Sequence, residues 1–207
     1  MATDNGHYEG LLVDYGGVLT TSLFDSFGAF CTAEGLDPRT LVDSFRKDPD
    51  ARALLIGLET GAIDEDEFEP QLAAILGVHA PGLIDRLFAG SGPEKVMLAA
   101  VLAARQNGIR TGLISNSWGT RRYDREQLSQ LFDGIVISGD EGMRKPAPEM
   151  YTLGAERIGL SPERCVYVDD LIFNLTPARE LGMATVHHVD ADQTVSELEP
   201  LLGVRLR

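Results

Sequence analysis

A chain of 207 residues is long enough to enclose a substantial hydrophobic core in one domain, or in a core that carries a modest insertion. Its 32 acidic against 18 basic residues give a formal charge of -14, which opposes any broad attraction to nucleic acid or anionic lipid. No apolar run approaches the roughly 18 residues of a membrane-spanning helix, and the opening MATDNGHYEG lacks a basic-then-apolar leader pattern, so no membrane partner and a cytoplasmic location are expected.

The first strand pattern is LLVD at 11–14, an apolar run that ends in Asp14, with Gly16 and Gly17 close behind. Paired glycines permit positive φ and let a ligand approach the backbone, so the turn beside this carboxylate is a candidate ligand-facing surface. From about residue 20 to 89 the strand rhythm stops. The stretches 25–36, 50–61 and 63–77 show helical spacing only, with Asp64 placed as an N-cap. A small helical cap over 20–89 is therefore expected, inserted after the first strand and selecting the substrate, with 1–19 and 90–207 as the core domain. Within it, Phe24, Phe27 and Phe30 are expected to hold the cap's own interior, and Lys47 to end a solvated helix. Cys31 and Cys165 show neither pairing nor zinc-ligand spacing and read as small buried hydrophobes.

Helical spacing at 93–108 leads into the strand TGLIS at 111–115, which ends in Ser115 and is followed by Asn116. A hydroxyl with successive backbone N–H groups beyond a strand can hold an oxyanion such as phosphate, although Ser-Asn also makes ordinary turns. Trp118, Arg121, Arg122 and Arg125 read as a solvated helix face broken by one packing aromatic. After GIVIS at 134–138 comes Lys145 in GMRKPAPEMY, held by neighbouring prolines. Pro148 suits the opening turn of the next helix. Such a lysine could neutralise phosphate and carboxylate charge together, or be solvated. CVYVDD at 165–170 ends in Asp169 and Asp170. Adjacent like charges call for a compensating cation, and hard oxygen ligands suit magnesium; a helix cap would account for one aspartate only. Helical spacing at 150–160 and 175–183 separates these strands from ATVHHV at 184–189, where His187 and His188 lack partners at metal-ligand spacing. Alternating strands and helices predict an α/β fold with a doubly wound parallel sheet, in which ligands bind beyond the carboxyl ends of the strands.

The order of these strand ends resembles the haloacid dehalogenase superfamily of hydrolases across nearly the whole chain: DYGGVL from Asp14, LIS ending at Ser115, Lys145, then Asp169-Asp170 with Asn174. GLISNSWGTRR, GMRKPAPEMY and VYVDDLIFNLTPARELGMATV are similar to strings in the N-terminal phosphatase domain of soluble epoxide hydrolases and its bacterial relatives, and ETGAIDEDEF resembles that group's cap. No second α/β-hydrolase pattern occurs in the 207 residues, so epoxide hydrolysis is not implied. The resemblance implies a Rossmann-like core and a monomer or homodimer that cleaves a small phosphorylated molecule. It implies Asp14 as a nucleophile that forms an aspartyl-phosphate and Lys145 as the other catalytic residue. Ser115, the Asn116 backbone and Lys145 would bind the phosphoryl group. Mg2+ would sit on Asp14, Asp170 and the Gly16 carbonyl, with Asp169 and Asn174 in support.

One departure stands out. Phosphatases of the superfamily usually carry a second aspartate two residues after the nucleophile, as leaving-group acid and later base, and here that residue is Gly16. General acid–base catalysis is worth about 10² to 10⁴ in rate, so slow turnover is expected, worst for alkyl phosphates. Glu59, Asp64 and Glu67 could in principle supply a proton, but are expected to form a solvated acidic face. A dehalogenase-type or other non-phosphatase hydrolase, and a phosphate-binding regulatory module without turnover, remain as alternatives.

Overall fold

The computed structural model describes residues 6–207. The first five residues, where both the leader reading and the predicted core segment 1–19 begin, lie outside the described residues. In chain order the elements are β1 (Gly10–Val13), α1 (Leu23–Ala33), α2 (Thr40–Lys47), α3 (Pro49–Glu59), α4 (Glu65–Leu76), α5 (Leu83–Phe88), α6 (Lys95–Gln106), β2 (Arg110–Ser115), α7 (Arg125–Leu131) and β3 (Gly134–Ile137). There follow α8 (Ser138–Glu141), α9 (Pro148–Arg157), β4 (Cys165–Asp169), α10 (Ile172–Glu180), β5 (Ala184–His187) and α11 (Ala191–Leu202). Among the described residues, no helix is long and apolar enough to cross a membrane.

All strand pairs are parallel and the order is β3-β2-β1-β4-β5. The central strands β1 and β4 are buried throughout, and β2 is after its first residue, which is why they read as unbroken apolar runs; at the edge strand β5 only Val186 is buried. Period-two alternation sorts their side chains between two cores. Leu11, Val13, Leu113, Val166 and Val168 pack with α6 and α11 on one face, and Leu12, Ile114, Val136 and Tyr167 with α9 and α10 on the other. After β3 at one end of the sheet the chain returns to place β4 on the other flank of β1. The carboxyl ends of β1 and β4 thus border the point where the connections diverge.

The first five of the six helices between β1 and β2, α1 to α5, have an apolar cluster of their own, built on Phe27, Phe30, Leu58, Phe68, Leu72 and Leu87. Phe27 and Phe30 are in its interior, whereas Phe24 is exposed, which corrects one of the three phenylalanine expectations. Asp64 caps α4, accepting from Glu67 N at 2.9 Å. Lys47 ends α2 on the surface, paired with Asp43. Both cysteines are buried and free.

Candidate active site

Val13 pairs with Val168, so the next residues, Asp14 and Asp169, come side by side, and Asp14 N donates to Val168 O at 2.9 Å. Lys145 arrives from the loop between α8 and α9. Its Nζ lies 2.7 Å from Asp14 Oδ1, 2.8 Å from Asp169 Oδ2 and 3.1 Å from Tyr167 OH. At 1% exposure an ammonium group is tolerable only with such partners. Burial alone would lower the pKa of Lys145, but Asp14 and Asp169 outweigh it and hold the ammonium charged.

Asp169 is wholly buried and fully engaged. Besides Lys145 it accepts from Leu171 N at 2.8 Å, from Asn174 Nδ2 at 3.0 and 3.1 Å, and from the Tyr167 hydroxyl. Its geometry is that of an anchor for Lys145, and Asn174 acts through it. Asp170 points elsewhere: a Cβ on Gly17 would stand 2.5 Å from Asp170 Oδ2, and Gly17 has φ +78°. Glycine is thus required at 17 twice over, by backbone conformation and by the carboxylate that lies against it.

Asp14, Asp169 and Asp170 offer oxygen atoms within 4.8 Å of one another. Three carboxylates against one ammonium leave two negative charges in a buried place. Burial, with Asp169 and Asp170 adding to it and Lys145 opposing, pushes the Asp14 pKa up to about 8. Burial, then Asp169, pushes Asp170 up to about 6. This set of hard oxygen donors with a charge of minus two fits a divalent ion such as magnesium.

On the β2 side, Ser115 and Asn116 both meet the site, in ways the sequence does not disclose. Ser115 Oγ is 2.7 Å from Tyr123 OH, and the Tyr123 ring packs on Tyr15 with centroids 5.2 Å apart. The Asn116 side chain clamps the Lys145 backbone, accepting from Lys145 N at 2.8 Å and donating to Lys145 O at 3.1 Å. Tyr167 could have been found, since it sits two residues before Asp169 on the same strand face. Tyr123 and the Asn116 clamp depend on loop paths that no periodicity encodes.

Two expectations require correction. Glu59 is not part of a solvated face: it is 5% exposed at the end of α3, with Oε2 2.6 Å from Arg144 Nε, while its carbonyl accepts from the Ser138 hydroxyl. Residues 118–124 form turns rather than a helix. Trp118 packs among Phe27, Phe45, Phe68 and Phe88, and the arginines pair with acids: Arg121 with Asp66, Arg122 with Asp85 and Glu65, Arg125 with Asp140. Gly119, at φ +86° and against Glu65, takes a backbone conformation outside the helical region. His187 Nε2 reaches Asp170 O at 3.0 Å, and His188 bonds Thr194.

The family described as haloacid dehalogenase-like hydrolase matches residues 8–182. Bifunctional epoxide hydrolase 2 of Sus scrofa is 35% identical over 117 residues, which cover 53% of this chain but only 21% of that protein. A sesquiterpene phosphatase of Aspergillus oryzae is 28% identical over 151 residues, covering 70% of this chain and 77% of that one. A haloacid dehalogenase family enzyme of Bacteroides thetaiotaomicron, crystallised with magnesium and inorganic phosphate, superposes with a TM-score of 0.65 at 22% identity, over 87% of this chain and 93% of that one. At that identity the superposition speaks to the fold alone.

Proposed function

The chain belongs to the haloacid dehalogenase-like hydrolases, and within that family we propose that it is a magnesium-dependent phosphomonoesterase acting through an aspartyl-phosphate on Asp14. The observation that carries the reading is the contact of Asp14 with the buried Lys145, 2.7 Å away, inside a three-carboxylate cluster. The phosphatase named among its relatives supports it. On the same reading residues 20–89 act as a cap over a core of 1–19 and 90–207.

Asp14 would hold magnesium together with Asp170 and the Gly16 carbonyl, and the bound ion would supply the charge that lets a phosphate dianion approach a carboxylate. Lys145 orients Asp14 and opposes the rise of its pKa, and its positive charge would offset that of a phosphoryl oxygen, its three N–H donors being met by Asp14, Asp169 and Tyr167. Ser115 and the Asn116 N–H would receive the other oxygens at the end of β2, while the Asn116 side chain fixes the lysine loop. Asp14 attacks phosphorus as the ester P–O bond breaks, and water then attacks the phosphorus of the acyl phosphate, releasing phosphate and the carboxylate.

The test is hydrolysis of 4-nitrophenyl phosphate and release of chloride from 2-chloropropionate, each with magnesium and with excess chelator. Phosphate release that needs magnesium and disappears in Asp14→Asn is expected, with no chloride. Chloride release independent of metal would replace this reading with a dehalogenase. Tight phosphate binding without turnover would replace it with a regulatory module.

A further inference from the structure

A cavity of about 460 Å³ adjoins the site through Gly16, Ser115 and Asn116 and runs between α1 and the face formed by α6 and α7. This volume is in the range of pockets that enclose small organic ligands. Four aromatic rings, Tyr15, Phe88, Trp118 and Tyr123, line it together with leucines from α1, α6 and α7. Among the described residues of the lining only Arg122 is charged, and its guanidinium is already met by Asp85 Oδ1 at 2.6 Å and Glu65 Oε2 at 3.5 Å. A second phosphate, a carboxylate or a nucleotide would find no free cation there.

The wall nearest the reacting centre is Leu23. A Cβ on Gly16 would stand 2.6 Å from Leu23 Cδ1 and 3.4 Å from its Cγ. The direction in which an acid at position 16 would project is therefore filled by an apolar side chain of α1 that also lines the cavity.

Resting on the phosphatase reading above, we infer that this cavity seats the leaving group and that the substrate is the phosphate monoester of an uncharged aromatic alcohol. An Asp14 oxygen forms the new bond to phosphorus, and the bond from phosphorus to the aryl oxygen breaks with its electron pair on that oxygen. The aryloxide is stable enough to depart without a proton from the protein and takes one from water afterwards. A second water supplies the oxygen that converts the phosphoaspartate to inorganic phosphate. Flat aromatic bodies suit walls of tyrosine, tryptophan and phenylalanine, where rings pack edge-to-face or offset.

The experiment compares kcat/KM, with magnesium, for acetyl, phenyl, 2-naphthyl and n-octyl phosphates. Acetyl phosphate has a small leaving group that needs no acid and reports the phosphatase reading alone; if it is not hydrolysed, that reading falls and the inference with it. With acetyl phosphate turned over, 2-naphthyl should exceed phenyl phosphate by about tenfold, since the two phenols differ little in acidity and the larger ring buries more apolar surface. The n-octyl ester should lie at least about 100-fold below phenyl phosphate. Leu131→Asp and, separately, Leu98→Asp should each bring the naphthyl-to-phenyl ratio to near unity in protein whose circular dichroism matches wild type. A wild-type ratio near unity, or octyl turnover equal to phenyl, overturns the inference while leaving the phosphatase reading in place, and neither result depends on a variant that folds.

Discussion

Leu23 gives Gly16 a meaning that its own neighbours in sequence do not. The glycine looks like a deletion, an acid trimmed away from a turn, but the space it leaves is occupied 2.6 Å from where its Cβ would be. An acid at 16 has to displace the end of the Leu23 side chain. Gly16→Asp must first swing the leucine aside, whereas Gly16→Asp with Leu23→Ala offers the carboxylate a clear path towards the leaving oxygen. The double variant should raise turnover of an alkyl phosphate by about 10-fold or more over wild type, the single variant by much less, and neither should help an aryl phosphate comparably. Steady-state rates on octyl and phenyl phosphate check this, and a single variant as active as the double would show that Leu23 is no obstacle. Gly17, by contrast, is fixed by φ +78° and by Asp170, so the two glycines of DYGGVL serve different ends.

At the scale of elements, the loops after β2 and before α9 tie the helical insertion to the sheet. Trp118, from the first, enters the insertion's cluster, and Glu59, from the end of α3, reaches Arg144 beside Lys145. These ties were not legible in the sequence, whereas the five strands and the carboxylates ending β1 and β4 were. A parallel strand declares itself by a short apolar run and places its last residue at the sheet's edge, so Asp14, Ser115 and Asp169 follow from local pattern. The short helices α2, α5 and α7 run for eight, six and seven residues and bury one to three each, which leaves about two turns or fewer in which to read a period. Burial, only partly opposed by Arg144 and Lys145, pushes Glu59 from 4.5 up to about 7. Between these values the folded chain holds a proton that the unfolded chain has released. The contribution of Glu59 to stability is thus full below 4.5 and lost as pH rises through 7. Urea unfolding from about pH 5.5 to 8 should show the wild type losing on the order of 2 kcal/mol relative to Glu59→Gln. The variant carries a constant penalty from the unpaired Arg144 but lacks this slope, and parallel curves for the two proteins would mean that Glu59 is already ionised when folded.

For the whole molecule the decisive quantity is charge. A chain at -14 gathers three of its carboxylates at one buried point, where a single ammonium cannot balance them. Folding without a cation must bear that repulsion, and a divalent ion that binds only the folded state stabilises it by mass action. At a concentration about 100 times its Kd the gain is about 2.7 kcal/mol, which for a chain of this size raises Tm by about 5–10 °C. Asp170→Asn replaces an anionic oxygen donor by a weaker, neutral one and removes one of the two surplus negative charges, so two effects of opposite sign are expected in the same thermal scans. Without magnesium the variant should melt at or above the wild-type temperature, because less charge is buried unpaired; with magnesium its gain should shrink to under about 2 °C, because the ion has lost an anionic ligand. Fluorescence or calorimetric melting in chelator and in millimolar magnesium measures both, with no substrate required. A variant that melted lower in chelator yet kept the full magnesium shift would place the ion elsewhere and leave Asp170 a structural role only.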